Sequence, residues 1–279
     1  MSLPPLHIPD ILERYHLQPK KSLGQNFLVD HNALLKIVRD AEVGPGDRVL
    51  EIGAGLGSLT RVLAMDAEKV LAIEIDEKLF PAMIEVLSPF DNVQVIQGDI
   101  LKMDLEGLFS KSGYKVVANI PYYITSAVIR HLLEATVKPE RIVLTMQREV
   151  AERILNRDEK MSLLSLSVKV YGKASITSHI PANCFYPQPQ VDSSVLVIDV
   201  YETPKLSEAG LHRLFRLAHA AFNQKRKMLR SSLRPILGND VETVSEVLRN
   251  AGIDPRRRPE ALSVGEWVKL AEDSKDILD

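Results

Sequence analysis

Apolar residues gather into short runs over the first 150 positions: "RVLEIG" (48–53), "KVLAIEI" (69–75), "NVQVIQGD" (92–99), "YKVVANI" (114–120) and "RIVLTMQ" (141–147). Most of these runs lack polar alternation, the pattern of parallel strands covered on both faces. Between them, 55–67, 76–88 and 124–136 carry apolar residues at helical spacing. Strands alternating with helices predict a doubly wound, Rossmann-like α/β domain. A sixth run, "SSVLVIDVY" (193–201), follows a proline-rich loop instead of a helix, which predicts an antiparallel addition to the sheet. Past "TPKLSEAG" the strand signal stops. Residues 207–222, 224–236, 240–251 and 263–272 read as short helices. The expectation is an α/β domain over 1–202 and a small all-α domain over 203–279.

Composition adds little to that outline. Of 279 residues, 45% are hydrophobic and 26% charged, ordinary for a globular chain with a real core. No apolar run approaches the roughly 20 residues that span a bilayer. The N-terminal "MSLPPLHIPDILERYH" lacks both a signal-peptide apolar region and a transit-peptide composition. The single cysteine, Cys184, excludes a disulfide framework and a CxxC metal site. A cytoplasmic protein without bound metal is expected. Its formal charge of −2 neither favours nor opposes a nucleic-acid partner, so the distribution of charge has to decide.

Candidate chemistry begins at "VLEIGAGLGSLT", where Gly53, Gly55 and Gly57 follow the first strand and precede a helix. Glycines there let the backbone approach a ligand closely. The spacing is GxGxG, with Ser58 where a dinucleotide fingerprint places its third glycine, and it suits the amino-acid end of S-adenosylmethionine better than a pyrophosphate. Glu74 closes the second strand, where an acid can accept both ribose hydroxyls. Asp99 closes the third, placed to accept from an adenine amine. A nicotinamide enzyme would also use an acid after its second strand, so the loop spacing and the fourth strand must discriminate.

That fourth strand ends in "ANIPYYITS". The adenine amino group is a poor nucleophile because its lone pair is delocalised into the ring. The Asn119 side-chain oxygen and the Ile120 carbonyl can accept both amine hydrogens and favour a more pyramidal nitrogen. Pro121 stiffens the loop and removes a competing N–H. Tyr122 offers a face on which a base can stack, and Tyr123 defaults to core packing. In "CFYPQPQVDSS" two prolines stiffen the loop that carries Phe185, which can stack on the opposite face of a flipped adenine or simply fill the core beside Cys184.

Together with "KKSLGQNFLVD" (20–30), "AIEID" (72–76), "GDI" (98–100), "LTMQREVAERI" (144–154) and "FNQKRKMLRSSL" (222–233), these motifs resemble the ribosomal RNA adenine N6,N6-dimethyltransferases of the bacterial small-subunit type. The likeness runs over nearly the whole chain. It implies S-adenosylmethionine as cofactor, contacted by Asn26, Leu28, Gly53, Gly55, Glu74, Asp99 and Asn119. It implies a catalytic group of Asn119, Ile120, Pro121, Tyr122 and Phe185. The implied substrate is a pair of adjacent adenosines in a hairpin near the 3′ end of small-subunit rRNA, in the immature 30S particle. Phe27 and Leu28 of the arm can equally pack on the core.

From Leu211 to Arg234 the chain holds seven Lys/Arg and no Asp or Glu, interleaved with Phe215 and Phe222. Lys225, Arg226, Lys227, Arg230 and Arg234 are therefore the expected phosphate contacts, with Arg256–Arg258 and the pair Lys20–Lys21 as further candidates. The expected protein is a monomer with no membrane association. Two alternatives share these features. One is a large-subunit rRNA adenine N6-methyltransferase, which the near-neutral pI of about 6.4 disfavours; the other is an assembly factor whose rRNA binding matters more than methylation.

Overall fold

A computed structural model describes residues 3–155, 160–238 and 240–279. The chain divides into two compact units, Met1–Ala151 with Ala174–Val200, and Glu152–Lys173 with Tyr201–Asp279. The strands are β1 (Phe27–Leu28), β2 (Arg48–Ile52), β3 (Lys69–Glu74), β4 (Val93–Gln97), β5 (Tyr114–Asn119), β6 (Pro139–Gln147), β7 (Gly172–Ile180), β8 (Phe185–Tyr186) and β9 (Ser193–Val200). Seven of them form one sheet in the order β4-β3-β2-β5-β6-β9-β7. Its first five strands run parallel, and β9 joins β6 antiparallel with Arg141 opposite Asp199. The six strand runs of the sequence all form strands, and the antiparallel addition falls where the proline-rich loop placed it.

The first unit carries helices α1 (Ile8–Arg14), α2 (His31–Asp40), α3 (Ser58–Asp66), α4 (Phe80–Leu87), α5 (Leu105–Leu108) and α6 (Thr125–Glu134). Asp30 starts α2 by accepting from the Ala33 amide at 2.7 Å, a side-chain cap that satisfies one otherwise unpaired donor. One core cluster joins Leu34, Ile37 and Val38 of α2 and Leu59, Val62 and Leu63 of α3 to Val49, Val70, Val117, Val143 and Val195 of the sheet. Continuous apolar runs arise here because these strands are buried.

The second unit is helical around a fully buried Trp267, and Met161, Leu166 and Val170 belong to the same core. That apolar set assigns residues 152–173 to this unit, whereas the sequence pattern placed everything before 203 in the α/β domain. A second difference concerns 224–236, which reads as one helix. It is instead two four-residue helices, Leu229–Ser232 and Arg234–Leu237, after a turn closed by the Lys227 amide on the Gln224 carbonyl. Lys225, Arg226 and Lys227 supply no apolar face to pack, and Pro235 sits in a first turn, where its missing N–H costs nothing.

Candidate active site

Ordering the strands β4-β3-β2-β5 reverses the direction of winding between β2 and β5. A ligand crevice opens at such a switch point, beyond the carboxyl ends of the strands. A cavity of about 360 Å³ lies there. Its lining includes Gly53 and Gly55, Glu74, Asp99, the stretch from Asn119 to Ile124, and the arm from Leu23 to Leu28. Gly53 has φ +75° and Gly55 φ +60°, left-handed values that side chains rarely adopt. A Cβ at Gly55 would come within 3.1 Å of the Phe27 ring, and one at Gly53 within 3.6 Å of the Asn119 carbonyl oxygen. Glycine is needed here so that loop, arm and fourth parallel strand can close on one space.

Three carboxylates meet this cavity in different states. Glu74 is buried, and its two oxygens accept from the Gly55 amide at 2.8 Å and the Asp76 amide at 2.8 Å. Burial raises its pKa, and those amides only partly oppose the rise. Asp99 is half-buried; it accepts from the Leu101 amide at 3.1 Å and pairs with Lys102 at 3.6 Å. Glu51 of β2 also lines the cavity, a residue the sequence reading passed over. It is 1% exposed and its Oε2 has no partner. Burial pushes its pKa up to about 8, with the nearby Glu74 charge adding to the rise and Thr60 opposing it. An acid inside the apolar run "RVLEI" was the available signal, since a charge among β-strand residues buried on both faces needs a reason.

Asn119 ends β5 with its Nδ2 donating to the Asn26 carbonyl at 3.1 Å. A carbonyl can pair only with the NH₂ end of the amide, which fixes how the Asn119 side chain is oriented. Ile120 is buried and Pro121 half-buried. The Tyr122 hydroxyl shares a 2.8 Å hydrogen bond with Ser193 Oγ, and burial raises the Tyr122 pKa. Phe185 is 4% exposed; it packs in the core cluster beside Cys184 and also lines the cavity. The core reading of Phe185 therefore describes its packing, and the same ring also borders the cavity. Tyr123 does not pack in the core: it is 66% exposed at the cavity lining. The turn closed by Ile124 N–H on the Pro121 carbonyl carries it outward.

The arm is fastened at both ends. Asp76 accepts from Lys20 Nζ at 2.6 Å and Gln25 Nε2 at 2.8 Å, and these bonds outweigh its own burial to lower its pKa. β1 then pairs antiparallel with β8, Leu28 opposite Phe185, and the Val29 amide donates to the Cys184 carbonyl at 2.9 Å. Asn26 and Leu28 thus reach the cavity, and buried Leu28 also packs in the core. Lys20 is neutralised by Asp76, which leaves Lys21 as the exposed cation of that pair.

In the helical unit, Lys225, Arg226, Lys227 and Arg234 are exposed and Arg230 is half-buried. The other two cations of that run serve the fold. Arg213 is buried and grips the Asp279 carboxylate at 2.8 Å, and Arg216 donates to the Leu278 carbonyl at 2.7 Å. The interleaved aromatics are packing residues too: Phe222 stacks on Trp267 at 5.7 Å and Phe215 on Tyr171 at 6.1 Å. Arg256 pairs with Asp254 and Arg257 with Glu266, so Arg258 is the exposed member of that triplet without a carboxylate partner among the described residues.

The family model for ribosomal RNA adenine dimethylase matches residues 16–275. The chain is 43% identical over 262 residues to the ribosomal RNA small subunit methyltransferase A of Dehalococcoides mccartyi (strain CBDB1), covering 94% of this chain and 90% of that protein. Among solved structures, a dimethyladenosine transferase from Plasmodium falciparum superposes with a TM-score of 0.77 at 26% identity, covering 90% of this chain and 98% of that one. The 23S rRNA methyltransferase ErmE gives 0.70 at 28% identity, covering 89% and 99%.

Proposed function

The chain belongs to the ribosomal RNA adenine dimethylase family, and from that premise we propose which reaction its cavity performs. It transfers methyl groups from S-adenosylmethionine to N6 of two adjacent adenosines, giving N6,N6-dimethyladenosine. The substrate is a hairpin near the 3′ end of small-subunit rRNA, met during ribosome biogenesis in the cytoplasm. The protein acts as a monomer on the immature 30S particle. What carries the reading is one cavity joining the glycine loop, the pinned carboxylate of Glu74 and the Asn119-Ile120-Pro121-Tyr122 turn. The 43% identity to a small-subunit enzyme, against 28% to the large-subunit ErmE, favours the small-subunit substrate.

The residues fit the cofactor. Gly53 and Gly55 sit at left-handed φ values, a Cβ at Gly55 would press on the Phe27 ring of the arm, and the unpartnered Glu51 oxygen leaves a polar group for a ligand to pair. When bound, S-adenosylmethionine supplies a methyl group activated by its sulfonium centre. Glu74 holds the ribose hydroxyls, Asp99 the adenine amine, and Asn26 and Leu28 complete the wall. Asn119 Oδ1 and the Ile120 carbonyl accept the hydrogens of the target amine, leaving its lone pair to point at the methyl carbon. Pro121 keeps that turn rigid, and the rings of Tyr122 and Phe185 flank the base. No strong base is required, because the methylated cationic amine gives its proton to water. Catalysis rests on orientation and on acceptors fixed before the substrate arrives. Phosphates bind the helical unit at Lys225, Arg226, Lys227, Arg230 and Arg234, a solvent-facing set free of acids.

Incubation of unmethylated small subunits with the protein and labelled cofactor, followed by mass mapping of the rRNA, tests the reading. Four methyl groups on two neighbouring adenosines are expected, and Asn119→Ala should slow transfer on the order of 10²–10³-fold. Label confined to large-subunit rRNA would overturn it.

A further inference from the structure

A reactive adenosine that enters the cavity leaves its neighbour in the strand outside, unstacked on one side. The structure holds a second aromatic ring at that boundary which the cavity chemistry does not use. Among the described residues Tyr123 is the most exposed of the large apolar side chains at 66%, yet it belongs to the cavity lining. Leaving such a surface in water forgoes the free energy its burial would release, about 25 cal/mol per Å². The ring is also braced. It rests beside the backbone of Gly24, where an added Cβ would lie 3.5 Å from Tyr123 Cε1 and 3.0 Å from Pro121 Cβ. Gly24 sits at φ +59°, and the arm that carries it is held at Asp76 through Lys20 and Gln25. The neighbouring Tyr122 is tied to Ser193 instead. The result is an exposed aromatic ring at the cavity lining with the arm backbone beside it.

We propose that Tyr123 is a stacking platform for the nucleotide adjacent to the target adenosine, holding it outside the cavity while its neighbour is methylated. This rests on the methyltransferase reading above and adds to it the residue that fixes the strand beside the flipped base. A π-face accepts any base, so the platform positions the strand without reading its sequence. Gly24 and Pro121 are its supports, which makes the arm part of the substrate site as well as of the cofactor site.

The test compares wild type, Tyr123→Phe and Tyr123→Leu in three measurements: cofactor affinity by calorimetry, kcat/KM on unmethylated small subunits, and fluorescence of a hairpin RNA with 2-aminopurine beside the target adenosine. Cofactor affinity should be equal in all three proteins, which also shows that the variants are folded. Tyr123→Phe should keep kcat/KM and quench the 2-aminopurine. Tyr123→Leu should lose about ten- to hundred-fold in kcat/KM, the range that one base–aromatic stack commands, and should leave the probe bright. If Leu performs as well as Phe, or if the loss appears in cofactor affinity instead, Tyr123 is a wall or cover and the proposal falls. If wild type transfers no methyl group to rRNA, the underlying reading fails as well; normal transfer with equal activity in all three sinks the platform alone.

Discussion

The two ends of the parallel sheet treat buried charge in opposite ways. At the amino ends of the strands, Lys115 of β5 is 8% exposed, and its ammonium meets the Glu42 carbonyl, Asp47 at 2.7 Å and Glu140 at 3.7 Å. Arg141 of β6 is likewise spent on the Asp40 carbonyl, Asp199 and Glu42. At the carboxyl ends, Glu51 is equally hidden and one of its oxygens has nothing. Buried polar groups are normally paired because an unmade hydrogen bond costs more than a made one gains. The amino end obeys that rule; at the carboxyl end the bare oxygen belongs to a residue lining the cavity, where a ligand could complete the pairing. Unpartnered buried atoms also occur away from the cavity, at Trp267 and His131, so it is the cavity beside Glu51 that gives this one a functional reading.

Breaking the paired end should cost the most stability. Lys115→Met strips Asp47 of its cation and should lower unfolding free energy by about 2–3 kcal/mol in urea titrations, while cofactor affinity of the folded protein stays unchanged. A stable Lys115→Met would mean that the amino-end network is ornamental. Glu74→Ala should weaken S-adenosylmethionine by roughly 1.5–3 kcal/mol in calorimetry, the worth of charge-assisted hydrogen bonds, with unchanged affinity removing Glu74 from the ribose site. Glu51 offers the finest probe. Its acid is held neutral up to about pH 8 in the fold against 4.5 ordinarily, so between those values the unfolded chain binds fewer protons. Its share of stability is whole below 4.5 and is lost as pH climbs towards 8, at no more than about 1.4 kcal/mol per pH unit. Glu51→Gln should flatten that decline in thermal melts; parallel profiles for the two proteins would show that Glu51 is already charged.

Most of the sheet was legible because its strands are buried on both faces and must be written in Val, Ile and Leu. β7 was not: "GKASITSHI" alternates exposed and half-buried residues along the sheet edge and shows no apolar stripe. The N-terminal helix α1 and the strand pair β1–β8 were equally silent, being too short for a period to emerge. At the site, Gly53, Glu74, Asp99 and Asn119 were readable because each sits at a strand end, where chemistry departs from the packing pattern. Tyr123 escaped because the same letters would spell a core residue, and only the turn after Pro121 decides which way the ring faces. The exposed cations of the helical unit were half legible. Charge alone cannot distinguish Lys225 in solvent from Arg213 clamped on Asp279.

One hydrogen bond described above also joins two segments far apart in the sequence. Asn119 offers an acceptor to the cavity only because its NH₂ end is engaged by Asn26 on the arm. Without that partner the amide could turn half a revolution and present donors, where an amine has only hydrogens to give. The arm therefore does more than line the cavity: its backbone at Asn26 sets which end of the Asn119 amide faces inward.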